Sequence, residues 1–171
     1  MSRNVLIALC GIALATGCTK PAAPPAAAGP AAEGKKFLLA AEPAGAVGVK
    51  QAKTDSKDAD EVTLVGRIGG AEDPWVKGQA AFMIVDTALK PCNEQDDEGC
   101  PTPWDYCCDT DDLPANKALI KLVDASGKTI GTDARELLGV KELQTIVVHG
   151  KAKRDEVNNL TVLAESVFVR K

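Results

Sequence analysis

The segment PCNEQDDEGCPTPWDYCCDTDD, residues 91–112, constrains this chain more than any other. It holds four of the six cysteines, one of the two tryptophans, the only tyrosine and eight acidic residues, with no Lys or Arg among them. Its Pro, Gly and Asp residues break both the helical and the strand pattern. The segment is therefore expected as a long cross-linked loop standing on a small β-rich scaffold. A loop of that length inside a compact domain is uncommon unless it is functional.

Of the 171 residues, 1–60 read as targeting signal and spacer, which leaves about 110 for the fold, enough for one core. From Asp60 onward 20 acidic residues face 13 basic ones, a net charge of −7. A domain of that sign is a poor binder of polyanions, which argues against nucleic acid as a partner.

Arg3 gives the N-terminus one positive side chain, the apolar run 5–15 follows, and Ala15-Thr16-Gly17-Cys18 closes it. A short charged start, an apolar centre and small residues before a cut are the layout of an export signal. The run is too short to span a bilayer permanently. This stretch resembles a bacterial lipoprotein signal peptide. The resemblance implies cleavage after Gly17 and lipidation of Cys18. The chain would then be a membrane-anchored lipoprotein of the cell envelope, facing the periplasm or the exterior. The alternative is an ordinary secretory signal that happens to contain a cysteine. Cys10 lies in the apolar centre and leaves with the signal.

Residues 19–32, TKPAAPPAAAGPAA, are low-complexity Ala/Pro and should form a semi-stiff extended spacer. Residues 33–59 are more charged, and Pro43, Gly45, Gly48 and the QAKTDSKDADE run point to disorder or partial order. The expected organisation is a signal peptide over 1–17, a lipidated cysteine and flexible tether over 18–60, and a folded domain over 61–171.

Alternation of apolar residues predicts strands over 62–68, 79–85, 117–123, 144–153 and 160–169. A short helix is expected over 132–138, with Asp133 able to cap, Glu136 three residues on, and Gly139 as a stop. The phrases VTLVGRIGG and IVVHGKAKRDEVNNLTVLAESVFV, with the helix before the second, resemble an OB-fold. The resemblance implies a mainly β domain: a five-stranded, partly open barrel with one helix between strands three and four and a cysteine-rich loop insertion. Gly66 inside the first strand suits the coiling of such a barrel. The whole chain also resembles small lipoproteins of planctomycete-type bacteria that carry a CPTPWDYCC-like loop in an OB-like domain. That resemblance implies no biochemical activity, and fold alone does not supply one.

An exported domain meets an oxidising compartment, where paired cysteines are usually structural disulfides. Adjacent Cα atoms lie about 3.8 Å apart, below the roughly 4.4 Å at which ordinary disulfide geometry begins, so a Cys107–Cys108 bridge is disfavoured. Cys92 and Cys100 are expected each to bond one member of the adjacent pair. Such bridges close loops of about 8–17 residues and contribute roughly 2.5–3 kcal/mol each in the chain-entropy account. The alternative is a soft-metal site, with Cys92, Cys100, Cys107 and Cys108 as ligands and Cu(I) or Zn(II) as the ion. The spacing of seven, six and no residues between cysteines departs from the paired C-x₂-C of common zinc modules. A third reading is a reactive dithiol in redox exchange, without the C-x-x-C context that favours it. Asp96, Asp97, Glu98, Asp109, Asp111 and Asp112 could attract Ca²⁺, but no EF-hand spacing is present.

No catalytic constellation is visible, and the chain reads as a non-enzyme. His149 is the only histidine, and its place in a strand suits a surface or half-buried role. Lys151, Lys153 and Arg154 form a small basic spot without the aromatic residues that stack bases. Trp75 is expected at the core or the barrel end, and Trp104 as the plug seating the loop. If exposed, Trp75, Trp104 and Tyr106 would instead form a partner-binding patch. The preferred function is a lipid-anchored binding module, needing no cofactor, whose acidic loop recognises a protein or small molecule. The alternative is a metal-handling or thiol-redox protein.

Overall fold

The structure, a computed structural model, describes residues 30–95 and 99–171. The expected signal peptide, Cys18, the first part of the spacer, and Asp96, Asp97 and Glu98 lie outside the described residues. Among the described residues the order is β1 (Val47–Gly48), α1 (Val49–Asp55), β2 (Glu61–Ile68), β3 (Ala81–Val85), α2 (Leu113–Asn116), β4 (Lys117–Leu122), α3 (Ala134–Leu138), β5 (Thr145–Arg154) and β6 (Leu160–Val169).

The strands form because their apolar residues recur with period two. In β4, Ala118, Ile120 and Leu122 are buried while Lys117, Leu119 and Lys121 are only half-buried. β3 (AFMIV) is buried on much of both faces. Antiparallel pairing joins β2 to β3, β3 to β4, β5 to β6 and β2 to β5, and β4 runs parallel to β6. This is the five-stranded OB-like barrel, with α3 between β4 and β5 as the sequence pattern predicts. The Asp133 carboxylate accepts the Arg135 N–H at 3.0 Å at the start of α3, and Gly139 ends the helix with φ 69°. The mid-strand Gly66 is a point of close approach, since a Cβ there would lie 2.8 Å from Ile84 Cδ1.

The barrel is closed rather than partly open. β2 and β3 pair only at Arg67↔Val85 and Ile68↔Ile84 before they splay. The edge of β2 that β3 leaves is taken by β1, running parallel at Val47↔Leu64 and Gly48↔Val65.

That extra strand belongs to the stretch expected as tether, and residues 30–60 are instead part of the domain. Phe37, Val49 and Ala52 are buried in the same core as Leu64, Phe82 and Ile120. The chain passes so tightly over α3 that a Cβ on Gly34 would lie 1.6 Å from the Leu137 carbonyl oxygen. The Leu39 N–H donates to the Val167 carbonyl at 2.8 Å. Helix α1 is held at both ends by the barrel. The Asp86 carboxylate accepts the Lys50 N–H at 2.9 Å, and Arg154 Nη2 donates to the carbonyls of Lys53 at 2.6 Å and Ser56 at 2.9 Å. Negative charge at a helix start and positive charge at its end complement the helix dipole. A seven-residue helix with two buried apolar residues has no amphipathic period to read, and its capping charges lie far away in sequence.

Burial of each large apolar side chain is worth roughly 1.5–3 kcal/mol. A chain beginning at Glu61 is therefore expected to lose several kcal/mol against one beginning at Pro30, read from urea denaturation midpoints. Equal midpoints would show residues 30–60 to be a tether after all.

Candidate metal centre

Residues 86–116 leave the barrel between β3 and β4, and their ends are joined by the Asp86 N–H donating to the Asn116 carbonyl at 2.8 Å. Among its described residues the excursion winds through three 3-10 turns, Cys92–Glu94, Pro103–Asp105 and Cys107–Asp109. Tyr106 links the last two with φ 59° and ψ 36°. Left-handed backbone is rare for a bulky residue and costs about 1–3 kcal/mol. Burial of the ring offsets it: Tyr106 is 0 % exposed and packs with Val85, Leu113 and Leu89. Tyr106, not Trp104, is therefore the apolar plug of the loop.

Trp104 is half-buried and bridges to the end of β2. Its Nε1 donates to the Glu72 carbonyl at 3.0 Å, and its carbonyl accepts the Gly70 N–H at 2.7 Å. A Cβ on Gly69 would lie 2.4 Å from that Trp104 oxygen, so only glycine lets the loop lie so close. Arg67 of β2 pairs with Glu94 at 3.3 Å and fastens the first turn.

These supports bring Cys92, Cys100, Cys107 and Asp105 together, with one candidate ligand atom from each, all within 4.8 Å of one another. Cys92 Sγ lies 3.6 Å from Cys107 Sγ and 3.9 Å from Asp105 Oδ1, and Cys100 Sγ lies 3.9 Å from Cys107 Sγ. Asp105 is oriented by two hydrogen bonds, from the Cys107 N–H at 2.9 Å to Oδ1 and from the Thr102 hydroxyl at 2.8 Å to Oδ2. Cys92 is buried, Cys100 half-buried, and Cys107 and Cys108 exposed.

The expected disulfides are not formed: all four described cysteines are thiols. The sulfur separations of 3.6 and 3.9 Å are well beyond the S–S bond length of about 2.05 Å. The physical reason is that the turns aim Cys92, Cys100 and Cys107 at one shared point instead of pairing them off. Asp105 replaces Cys108 in the group of four expected as ligands.

Electrostatics divide the labour among the thiols. Burial pushes Cys92 up, but hydrogen bonds from the Cys108 backbone N–H and from the thiols of Cys108, Cys107 and Cys100 outweigh it and hold Cys92 below its usual value. Cys107 is held well above the usual thiol range by its hydrogen bonds to Cys92 and then Asp105. Burial raises Asp105, yet the Cys107 N–H and the Thr102 hydroxyl bring its carboxyl below the usual range.

The other expected site residues lie elsewhere. Trp75 is only 7 % exposed; it packs at a tilt of 52° against Phe82 with ring centroids 5.6 Å apart and donates from Nε1 to Glu142 at 2.6 Å. With Trp75 and Tyr106 inside, the three aromatics do not form a surface patch. His149 Nδ1 faces Thr63 Oγ1 at 3.0 Å across the β2–β5 pair. Arg154, expected in a basic spot, is engaged on α1. Asp109 accepts from Gln95 Nε2 at 2.8 Å, and among the described residues only the Cys92, Cys100, Asp105 and Cys107 group has metal-ligand convergence. Sequence reasoning missed Asp105, Thr102 and Gly69. A Thr three residues before an Asp, between two cysteines, was the available signal.

No helix among the described residues is long and apolar enough to cross a membrane. No family model matches the chain, and no curated protein matches it.

Forcing a methyl group into a tight contact costs about 1–3 kcal/mol. Gly69→Ala is expected to lose that much stability and to lift the loop from β2, so that the buried Cys92 thiol labels faster with a maleimide under native conditions. An unchanged labelling rate would show that the Gly69 contact does not seat the loop.

Proposed function

We propose that this protein is a lipid-anchored component of the bacterial cell envelope whose OB-like domain binds a thiophilic divalent ion, Zn(II), through Cys92, Cys100, Cys107 and Asp105. The observation that carries the reading is the sulfur spacing. Zn–S bonds of about 2.3 Å place tetrahedral ligand sulfurs about 3.8 Å apart, and the separations here are 3.6 and 3.9 Å. Three thiolates suit Cu(I) as well as Zn(II), but an oxygen donor fixed by two hydrogen bonds favours the harder ion. The ion would tie three turns of a loop that has only a small core of its own. Export and lipidation at Cys18 rest on the N-terminal sequence.

The spacing also favours a second reading. Cys92 and Cys107 are close enough for a change of side-chain rotamer to join them, each thiol losing a hydrogen to a disulfide-bearing oxidant, which makes the cluster a redox pair.

The full chain, purified under reducing and oxygen-free conditions, is expected to hold one Zn(II) in native mass spectrometry. Its Co(II) form should show thiolate-to-metal charge-transfer absorption. Loss of a ligand should weaken Zn(II) binding by more than about 100-fold for Cys92→Ser or Cys107→Ser, and about tenfold for Asp105→Asn. Uptake of Cu(I) but not Zn(II) would move the assignment to copper. Oxidised thiols with no metal uptake would favour the redox pair.

Anchoring is a separate expectation. Cells fed a labelled fatty acid should label the parent chain, and Cys18→Ala should abolish the label and release the protein from the membrane fraction. A labelled Cys18→Ala chain would sink the lipid assignment.

A further inference from the structure

Thr102 stands immediately before the Pro103–Asp105 turn, where a threonine commonly accepts a backbone N–H and caps the turn. It makes no such bond. Its hydroxyl donates instead to Asp105 Oδ2 at 2.8 Å, and its carbonyl accepts the Asp105 N–H at 2.9 Å. One residue therefore grips Asp105 by both backbone and side chain. The flanking Pro101 and Pro103 have no N–H to offer, so the hydroxyl supplies what the backbone on either side of it cannot.

The two carboxylate oxygens thereby gain different surroundings. Oδ2 is held by Thr102. Oδ1 accepts the Cys107 N–H at 2.9 Å and lies 3.9 Å from Cys92 Sγ, on the side of the cysteines. An ionised carboxylate has about four lone-pair sites, so Oδ1 keeps one for an ion after taking the Cys107 N–H. An unrestrained carboxylate binds cations through one oxygen or through both. An ion on Oδ1 alone, with Cys92, Cys100 and Cys107, has the four donors of a tetrahedral zinc site. A soft ion is satisfied by the thiolates and has little use for the oxygen.

We propose that Thr102 is the specificity-determining residue of this centre: by holding Asp105 to one oxygen it sets a site of three sulfurs and one oxygen, which favours Zn(II) over Cu(I). This rests on the metal-binding reading above. Thr102 is a positioning residue that acts through Asp105 and touches no ion itself. What matters is its hydroxyl. Serine can replace it, and valine, of nearly the same shape, cannot.

The test uses the full chain, kept reduced and oxygen-free. Affinities are read by competition against 4-(2-pyridylazo)resorcinol for Zn(II) and bicinchoninate for Cu(I). Thr102→Val is expected to weaken Zn(II) binding about tenfold, the loss typical of a group that orients a ligand, while Cu(I) affinity changes by less than about twofold. Thr102→Ser should restore Zn(II) affinity. The Co(II) form of Thr102→Val should keep its thiolate charge-transfer absorption but lose about half or more of the visible ligand-field intensity that marks four-coordination. In an Asp105→Ala background Thr102→Val should cost no further Zn(II) affinity, because residues acting as one unit do not add. Parent-like Zn(II) affinity in Thr102→Val overturns the proposal. So does an equal loss for both ions, which would make the hydroxyl a prop of the turn alone, and so does an additive loss in the double variant. A parent chain that takes up no Zn(II) instead overturns the metal-binding reading, and the proposal with it, before the variants are compared.

Discussion

Tyr106 carries its backbone at φ 59° while its ring lies fully buried against Val85 and Leu113. The two facts depend on each other. Backbone in the left-handed region reverses the chain between the Pro103–Asp105 and Cys107–Asp109 turns, which lets Asp105 and Cys107 face a common point while the ring turns inward. Strain of this kind persists where surrounding structure over-determines it. The surroundings here are the end of β2, where Gly70 donates to the Trp104 carbonyl, and the end of β3, which supplies Val85. A loop of acidic residues thus acquires a fixed shape from one aromatic ring and a few backbone contacts.

The barrel is stiffened at the same corner from its other side. Asp86 follows β3, opens the excursion and also accepts the Lys50 N–H at the start of α1. Lys53 on α1 donates to the Pro114 carbonyl at 2.6 Å, next to the return into β4. One carboxylate and one ammonium therefore connect the N-terminal segment, the root of the loop and the barrel. Movement of α1 would be felt at both ends of the excursion.

The barrel itself was legible in the sequence because its strands obey period two and its one capped helix carries Asp133 and Gly139 in their usual places. The N-terminal segment was not, since the charges that hold α1 are Asp86 and Arg154, distant in sequence and invisible to local patterning. The cysteine loop stood out as the candidate site, with disulfides expected first and a soft-metal cluster as the alternative. Spacing along the chain suggested pairing of sulfurs, whereas the reversal at Tyr106 gathers three of them around Asp105. Nothing in the residue order announces a left-handed tyrosine. The fourth member of the cluster was hidden for the same reason: Asp105 looks like one of many acids until Thr102 and the Cys107 N–H orient it.

The Asp86 to Asn116 hydrogen bond has a further consequence. The two ends of the excursion leave the barrel side by side, adjacent to the antiparallel register of β3 and β4 that begins at Val85↔Lys117. The anchor points are thus set by the scaffold and not by what is strung between them. Such an arrangement behaves as a socket: sequence between the two posts can diverge in length and chemistry while the strand ladder beneath keeps its alignment.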